Sequence, residues 1–438
     1  MKIDRLPSND KTNGWSVILP DRVPHATLDA DINADWLVIG GGYAGLSAAR
    51  RLAENRPDER VVLVEAGVCG ENASGRNSGF AIDIPHSTSS DPGELKSAHA
   101  YMRLSRAAVD RLEHLVTTHG IACDWSRDGK YQAAVSERGA RELLDPMARA
   151  MDALGEDWRW VEKDELRRVL GSAHFTRGIY TPGCVLMNPA ALVRGLADTM
   201  PENVQVFENT PVTEIEYANG VAIRAGNGSV RAPKLIMAAN GFSEQFGLHR
   251  GRFVHLAAHG SLTRPLTDAE AAAYGVDKPW GLTPANAFAG ITMRYTNDRR
   301  ILIRETIELN MAQRTSLPAQ EKMRARHTRL FRARFPQIAD VPLAHTWVGY
   351  VCMSRNGAPA FGPVQPNVWI AACQNAIGVT KGTISGLLAA DMACGVDNPL
   401  IADMQGLGAP VKLPPRPLVE VGARVRLGYE RWRNQHEA

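Results

Sequence analysis

Gly40, Gly42 and Gly45 stand in G-x-G-x-x-G register between an apolar run, 36–39, and a stretch in which Leu46, Ala49, Leu52 and Ala53 form one helical stripe. That spacing suits a bound dinucleotide. The first glycine permits a tight turn, the second lets the backbone approach a pyrophosphate, and the third lets the helix pack closely on the strand. Tyr43 and Ala44 lie at the helix start, where free N–H groups and a partial positive charge favour phosphate. A second apolar run, 61–64, ends at Glu65 and Ala66. A carboxylate there accepts hydrogen bonds from a ribose and repels a 2′-phosphate, which argues against NADP.

A second segment reads Ala73-Ser74-Gly75-Arg76-Asn77-Ser78-Gly79. Small residues interleaved with hydrogen-bonding side chains suit a backbone lying against a flat ring and a diphosphate, although a surface turn has the same composition. Other reactive patterns are sparse. There is no Gly-x-Ser-x-Gly and no nucleophile–His–acid set, and Cys69, Cys123, Cys184, Cys352, Cys373 and Cys394 form no C-x-x-C pair. Such usage argues against a metal site and a dithiol centre, and suits a reducing cytoplasm. A net charge of +3 gives no argument for nucleic acid. Residues 1–13 lack the apolar core of a secretory signal, and no apolar run reaches the roughly 18 residues of a membrane span.

Two domains are the expectation for 438 residues of which 44% are hydrophobic. Residues 1–33 read as an extended arm, with 15–19 and the turns at Pro20 and Pro24 packing on the body. After the nucleotide unit comes a Ser-, Asp- and Pro-rich loop, 85–93. A helix over 95–119 follows, with Tyr101, Leu104, Ala108, Leu112 and Leu115 on one face and Gly120 as its stop. A second helix starts at Ser136 and breaks or kinks near Pro146. Strand 185–187 leads into a helix from Asn188-Pro189 to Met200. The runs 204–207, 213–217, 221–224 and 234–239 then form a β-layer ending at Asn240. Thr296-Asn297-Asp298 turns a hairpin between 291–295 and 300–307. A basic helix over 319–335 stops at Pro336, its charges ringing much of its circumference as on a solvated face or a subunit contact. Strands near 347–353 and 368–372, a helix from about Thr380 to Cys394 and a proline-rich tail with a short final helix complete the chain.

Here a resemblance becomes specific. The two motifs, with Pro189, Leu192, Leu196, Val212, Ala238-Ala239-Asn240, Pro265-Leu266, strand 300–304, Pro359 and Gly362, resemble the flavoprotein superfamily of D-amino-acid oxidase, glycine oxidase and monomeric sarcosine oxidase. The branch is similar to the gamma-glutamylputrescine oxidoreductases, and the similarity covers nearly the whole chain. It implies an α/β, Rossmann-type FAD-binding domain, discontinuous over 34–95, 185–245 and 346–405. The substrate domain is α+β on a mixed or antiparallel sheet, built from 96–184 and 246–345, and 406–438 is a tail.

The resemblance puts FAD at the first motif, with Ser74, Gly75, Arg76, Asn77, Ser78 and Gly79 beside the flavin and pyrophosphate. Val212 meets the adenine through its backbone, Asn240 lies near the end of an FAD-domain strand, and the loop of Gly378, Val379 and Thr380 approaches the flavin O2 edge. Relatives often carry a Gly-x-Gly-His-Gly-like segment there. This chain has Ile377 in place of the His, and Lys381 is the candidate to replace a charge. Cys352, in Val351-Cys352-Met353-Ser354, resembles the cysteine that holds FAD covalently in monomeric sarcosine oxidases. Attachment needs an exposed thiol of lowered pKa; the preferred reading is a small buried core residue with non-covalent FAD.

The implied reaction oxidises a C–N bond of an amine or amino acid to an imine by hydride transfer to flavin N5, followed by hydrolysis, with oxygen or another acceptor taking the electrons. Such chemistry needs orienting groups rather than a triad. Arg304 either binds a substrate carboxylate bidentately or pairs with Glu305 or Glu308 at the surface. His259, beside Gly260, either orients or deprotonates the substrate amine or is a satisfied structural histidine. Two alternatives stay open: an NAD-dependent dehydrogenase, which leaves the second motif unexplained, and an FAD-binding protein without amine turnover.

Overall fold

Trp36–Ile39 and Val61–Val64 are buried at every residue, as strands covered on both faces must be. In the computed structural model, which describes residues 1–7, 10–85 and 92–437, they lie inside a six-stranded sheet. Its order is Ala360–Gln365, Val368–Ala372, Lys234–Met237, Trp36–Ile39, Val61–Val64, Val204–Phe207. All neighbours are parallel except the edge pair Ala360–Gln365 and Val368–Ala372. Alternation divides the burial: Trp36 and Val38 pack with Leu46, Ala49 and Leu52 of the helix Tyr43–Asn55. Leu37 and Ile39 pack the other way, with Ile223 and Val230 of a four-stranded sheet. A second helix, Gly378–Cys394, lies so close to the first that a Cβ on Gly386 would sit 1.9 Å from the Ala44 carbonyl oxygen.

The second sheet has eight strands and is antiparallel except where Trp280–Pro284 runs parallel to Lys130–Ala134. Its first three strands, Leu343–Ser354, Phe253–Thr263 and Ile301–Leu309, pair over long registers such as Ala257↔Tyr350 and Gly260↔Arg304. The expected α/β and mixed-sheet architecture is present. Leu343–Ser354, most of which falls in the 346–405 segment expected in the nucleotide unit, hydrogen-bonds along its length to Phe253–Thr263 of the eight-stranded sheet.

Other elements differ in detail. The helix expected from Ser136 is capped there and passes through a π-helical turn, Ala140–Leu144. Pro146 sits in the first turn of the next piece, Asp145–Leu154, where a missing N–H costs little. The arm contains a short helix, Gly14–Val17, and a strand, Asp31–Asn33, that joins the four-stranded sheet. The final helix runs 18 residues, Arg416–Arg433, and is therefore not short. Beyond it the buried carboxylate of Glu437 accepts from the Val135 and Ser136 N–H groups at 2.9 and 3.1 Å. Most of the expected loop at 85–93 lies outside the described residues. Among those described, no helix is long and apolar enough to cross a membrane.

Candidate functional site

A cavity of about 360 Å³ lies between the six- and eight-stranded sheets. Its floor is made largely of backbone. Gly40 turns at φ +111°, where an L side chain is strained, and a Cβ on Gly45 would fall 1.7 Å from the Gly40 carbonyl oxygen. A Cβ on Gly42 would stand 2.6 Å from Ser74 Oγ, in the space where the helix Tyr43–Asn55 begins. That helix has no side-chain cap from Gly42, and Ser74 Oγ accepts only the Tyr43 N–H, at 3.2 Å. Uncapped N–H groups above a glycine cradle fit a diphosphate.

Glu65 is fixed by its neighbours. One oxygen accepts from Gly41 N–H at 2.7 Å, and the other accepts from Gly67 N–H at 3.0 Å and Asn72 Nδ2 at 3.1 Å. Burial raises its carboxyl above the usual range, while these three donors pull it back. Ala66 lies beside it on the wall.

The second motif is gripped from outside. Asn77 Nδ2 donates to Ser74 O at 2.6 Å, and its Oδ1 accepts from Gly79 N–H at 2.8 Å. Trp15 Nε1 donates to Asn77 O at 2.8 Å, and Trp347 Nε1 to Arg76 O at 3.0 Å. Arg76 donates to Glu71 O, Val348 O and Asp10 Oδ1, so its guanidinium ties arm, motif and second sheet together. Burial raises the Asp10 carboxyl, but Arg76 outweighs it and brings it to about 2. Arg294, a residue sequence reasoning passed over, donates from one Nη1 to Ser78 O, Gly79 O and Met187 O.

Gly40, Gly42, Tyr43, Ala44, Glu65, Ala66, Ser74, Arg76, Asn77, Ser78, Val212, Asn240, Gly378 and Val379 are brought together on the cavity wall. Four of the expected cofactor residues are not. Gly45, Gly75 and Gly79 lie behind the wall, packed against the backbone or, for Gly79, also Arg294 Nη1. Thr380 is fully buried and donates to Ile82 O at 3.1 Å. Lys381 also leaves the wall: its Nζ stands 5.4 Å from the Tyr101 ring centroid, and burial lowers it to about 8.

On the opposite side, strand periodicity selects what is presented. Leu302, Arg304 and Ile307 of one strand and Ala258 and Gly260 of its neighbour line the cavity. His259 falls between the last two and turns away, with Nε2 3.0 Å from Glu308 Oε1. Glu308 thus serves His259, and Glu305 is paired with Arg326 at 2.6 Å. Among the described residues Arg304 has no carboxylate within 4.0 Å; it donates to Thr292 Oγ1 at 2.7 Å and weakly to Ala287 O at 3.5 Å. Burial lowers the guanidinium to about 10, which leaves it charged at neutral pH.

Cys352 reaches the wall, but burial and the adjacent Cys373 push its thiol well above the usual range, opposite to what covalent attachment requires. Thr283, Thr292, Tyr350, Gln313 and the arm residues Ile3, Arg5, Leu6 and Pro7 also line the cavity without having been expected. The arm carries no motif that would signal this.

The comparisons agree with this geometry. A family model described as FAD dependent oxidoreductase matches residues 35–392. Relatives include a probable oxidoreductase OrdL of Haemophilus influenzae, 24% identical over 92% of this chain and 93% of its own. The gamma-glutamylputrescine oxidoreductase of Escherichia coli is 24% identical over 85% and 86%. Among solved structures, glycine oxidase from Geobacillus kaustophilus superposes with a TM-score of 0.71 at 19% identity, over 87% of this chain and 99% of that one. With a glycine cradle, an uncapped helix start and a buried carboxylate all facing one cavity, the chain belongs to the FAD dependent oxidoreductase family, and FAD is its cofactor.

Proposed function

We propose that the protein oxidises the C–N bond of an amine that also carries a carboxylate, an amino acid or N-substituted amino acid, to an imine that water then hydrolyses. The observation that carries this reading is Arg304, a charged guanidinium on the cavity wall held only by the neutral oxygens of Thr292 and Ala287. A desolvated cation without a counter-ion favours an incoming carboxylate, which its planar fork receives with two parallel hydrogen bonds. Thr292 orients the fork, and Leu302, Ile307 and Trp347 supply apolar wall around it.

FAD, when bound, supplies the hydride acceptor. The chain's residues have the simpler tasks of fixing the carboxylate, aiming the α C–H and excluding water. Among the described residues the substrate side of the wall offers Arg304, Thr283, Thr292 and Tyr350, none of them a base at neutral pH. On this reading the amine arrives unprotonated, and kcat/KM rises with pH toward the amine's own pKa. Names of similar proteins support the class: glycine oxidase, and an iminodiacetate oxidase from Chelativorans whose structure superposes with a TM-score of 0.66. The six free cysteines, five of them buried, support a reducing compartment such as the cytoplasm.

Anaerobic reduction of the flavin tests the proposal. A panel of D- and L-amino acids, N-substituted glycines and gamma-glutamyl amines is compared with matched amines lacking the carboxylate. Bleaching by carboxylated amines alone supports it. Bleaching by none of them, or equally by decarboxylated partners, rejects it, and bleaching by 2-hydroxy acids instead moves the chemistry to a C–O bond.

A further inference from the structure

The family match ends at residue 392, and the chain then builds one more long helix, Arg416–Arg433. Leu427 is its one buried residue, and Arg431 holds it to the strand Ile301–Leu309 through the Ile307 carbonyl. At 3.6 residues per turn, Leu418, Val421, Val425, Tyr429 and Trp432 fall within an arc of roughly 80° opposite Leu427. These are the large apolar side chains that the helix leaves in solvent: Leu418 and Val425 are 66% exposed and Trp432 67%. An aliphatic stripe ending in Tyr429 and Trp432 is not a solvated helix face.

Charge decides what it fits. The helix carries five arginines and two glutamates. Arg426 and Arg433 flank one edge of the stripe and Arg424 the other, while Glu420 and Glu430 lie toward the docked side. Arg424 and Arg426 remain 63% and 74% exposed although they touch those glutamates. A second copy of the same face would bring arginine rims against arginine rims. An anionic lipid surface accepts both features, apolar side chains entering the headgroup boundary and arginines reaching phosphates around them.

We propose that Arg416–Arg433 is a peripheral docking helix for an anionic membrane surface, lying in the plane of the headgroups with its Leu418–Trp432 stripe inserted. Binding is reversible and falls as salt rises, because one short apolar stripe needs the charge term as well.

Flotation of the FAD-loaded full chain with vesicles tests this. One set is phosphatidylcholine alone, and the other is phosphatidylcholine mixed with phosphatidylglycerol. Binding to the mixed vesicles only, at least tenfold weaker in V425E and reversed by high salt, is the expected result. The paired variant R426E/R433E weakens it similarly, and because all three positions are exposed, flavin content stays at one per chain. Absence of binding to anionic vesicles overturns the proposal, as does V425E binding like the parent. If ultracentrifugation instead reveals a dimer that V425E dissociates, with no vesicle binding, the face belongs to a second copy and the lipid assignment fails.

Discussion

The two walls of the cavity present different chemistry. The wall built on the glycine motifs offers mainly backbone: Gly40, Gly42, the uncapped start of Tyr43–Asn55, and Glu65 braced on Gly41 and Gly67. Its arginine, Arg76, is already neutralised by Asp10 and bound to two carbonyls, so it positions chain rather than ligand. The facing wall, proposed to take the substrate, offers side chains, and its arginine, Arg304, meets only neutral oxygens. Of these two wall arginines, Arg76 spends its charge on Asp10, whereas Arg304 keeps its charge for a ligand.

Substitutions that act on one wall and spare the other sharpen this contrast. The largest effect belongs to Gly45→Val on the cofactor side. Its Cβ would start 1.7 Å from a backbone oxygen, so the turn has to open, at well over ~3 kcal/mol. Purified protein should carry no flavin absorbance. Arg304→Met is the converse: flavin content stays at one per chain, while kcat/KM for a carboxylated amine falls about 100-fold, ~3 kcal/mol. Loss of flavin in that variant would erase the division between walls.

Asp10→Ala releases Arg76 and loosens the arm, and stopped-flow dilution should show flavin leaving about fivefold faster, ~1 kcal/mol. The same anchor has a pH signature. The folded Asp10 value of about 2 lies below the ordinary 3.8, so its stabilisation is complete at neutral pH and is lost as pH falls from about 4 through about 2. Flavin retention in the parent should drop in that window, and in Asp10→Ala the drop should be smaller. The smallest effect is predicted for His259→Gln. It disturbs a buried contact with Glu308, so thermal stability declines by ~1 kcal/mol, while kcat/KM changes less than twofold because the imidazole faces away from the cavity.

The same contrast explains what the sequence made legible. Backbone recognition leaves a readable trace, since only glycine tolerates the turn at Gly40 and the contact at Gly45. Side-chain recognition leaves almost none. Arg304 and His259 are each one charged or titratable residue in a strand, and the face each presents depends on pairing. A bulge between Ala258 and His259, opposite the strained Thr306 at φ +65°, sets that face locally. Leu343–Ser354 is hard to place from sequence for a related reason: a mostly apolar strand reads alike in either layer. The final helix was under-read because Pro415, Pro417, Gly422 and Gly428 interrupt any propensity argument, while docking through Leu427 supplies what propensity does not.

The sheet order has an evolutionary consequence. The six-stranded sheet draws on 36–64, 204–237 and 360–372, and the eight-stranded sheet on 130–181, 253–309 and 343–354. Any single genetic crossover between 135 and 342 therefore leaves both sheets incomplete. A new substrate wall cannot be acquired as a block beside an unchanged cofactor wall. Point substitution at a position such as Arg304 changes one wall without breaking either sheet, and so does a change in an element outside both sheets, such as the helix Arg416–Arg433.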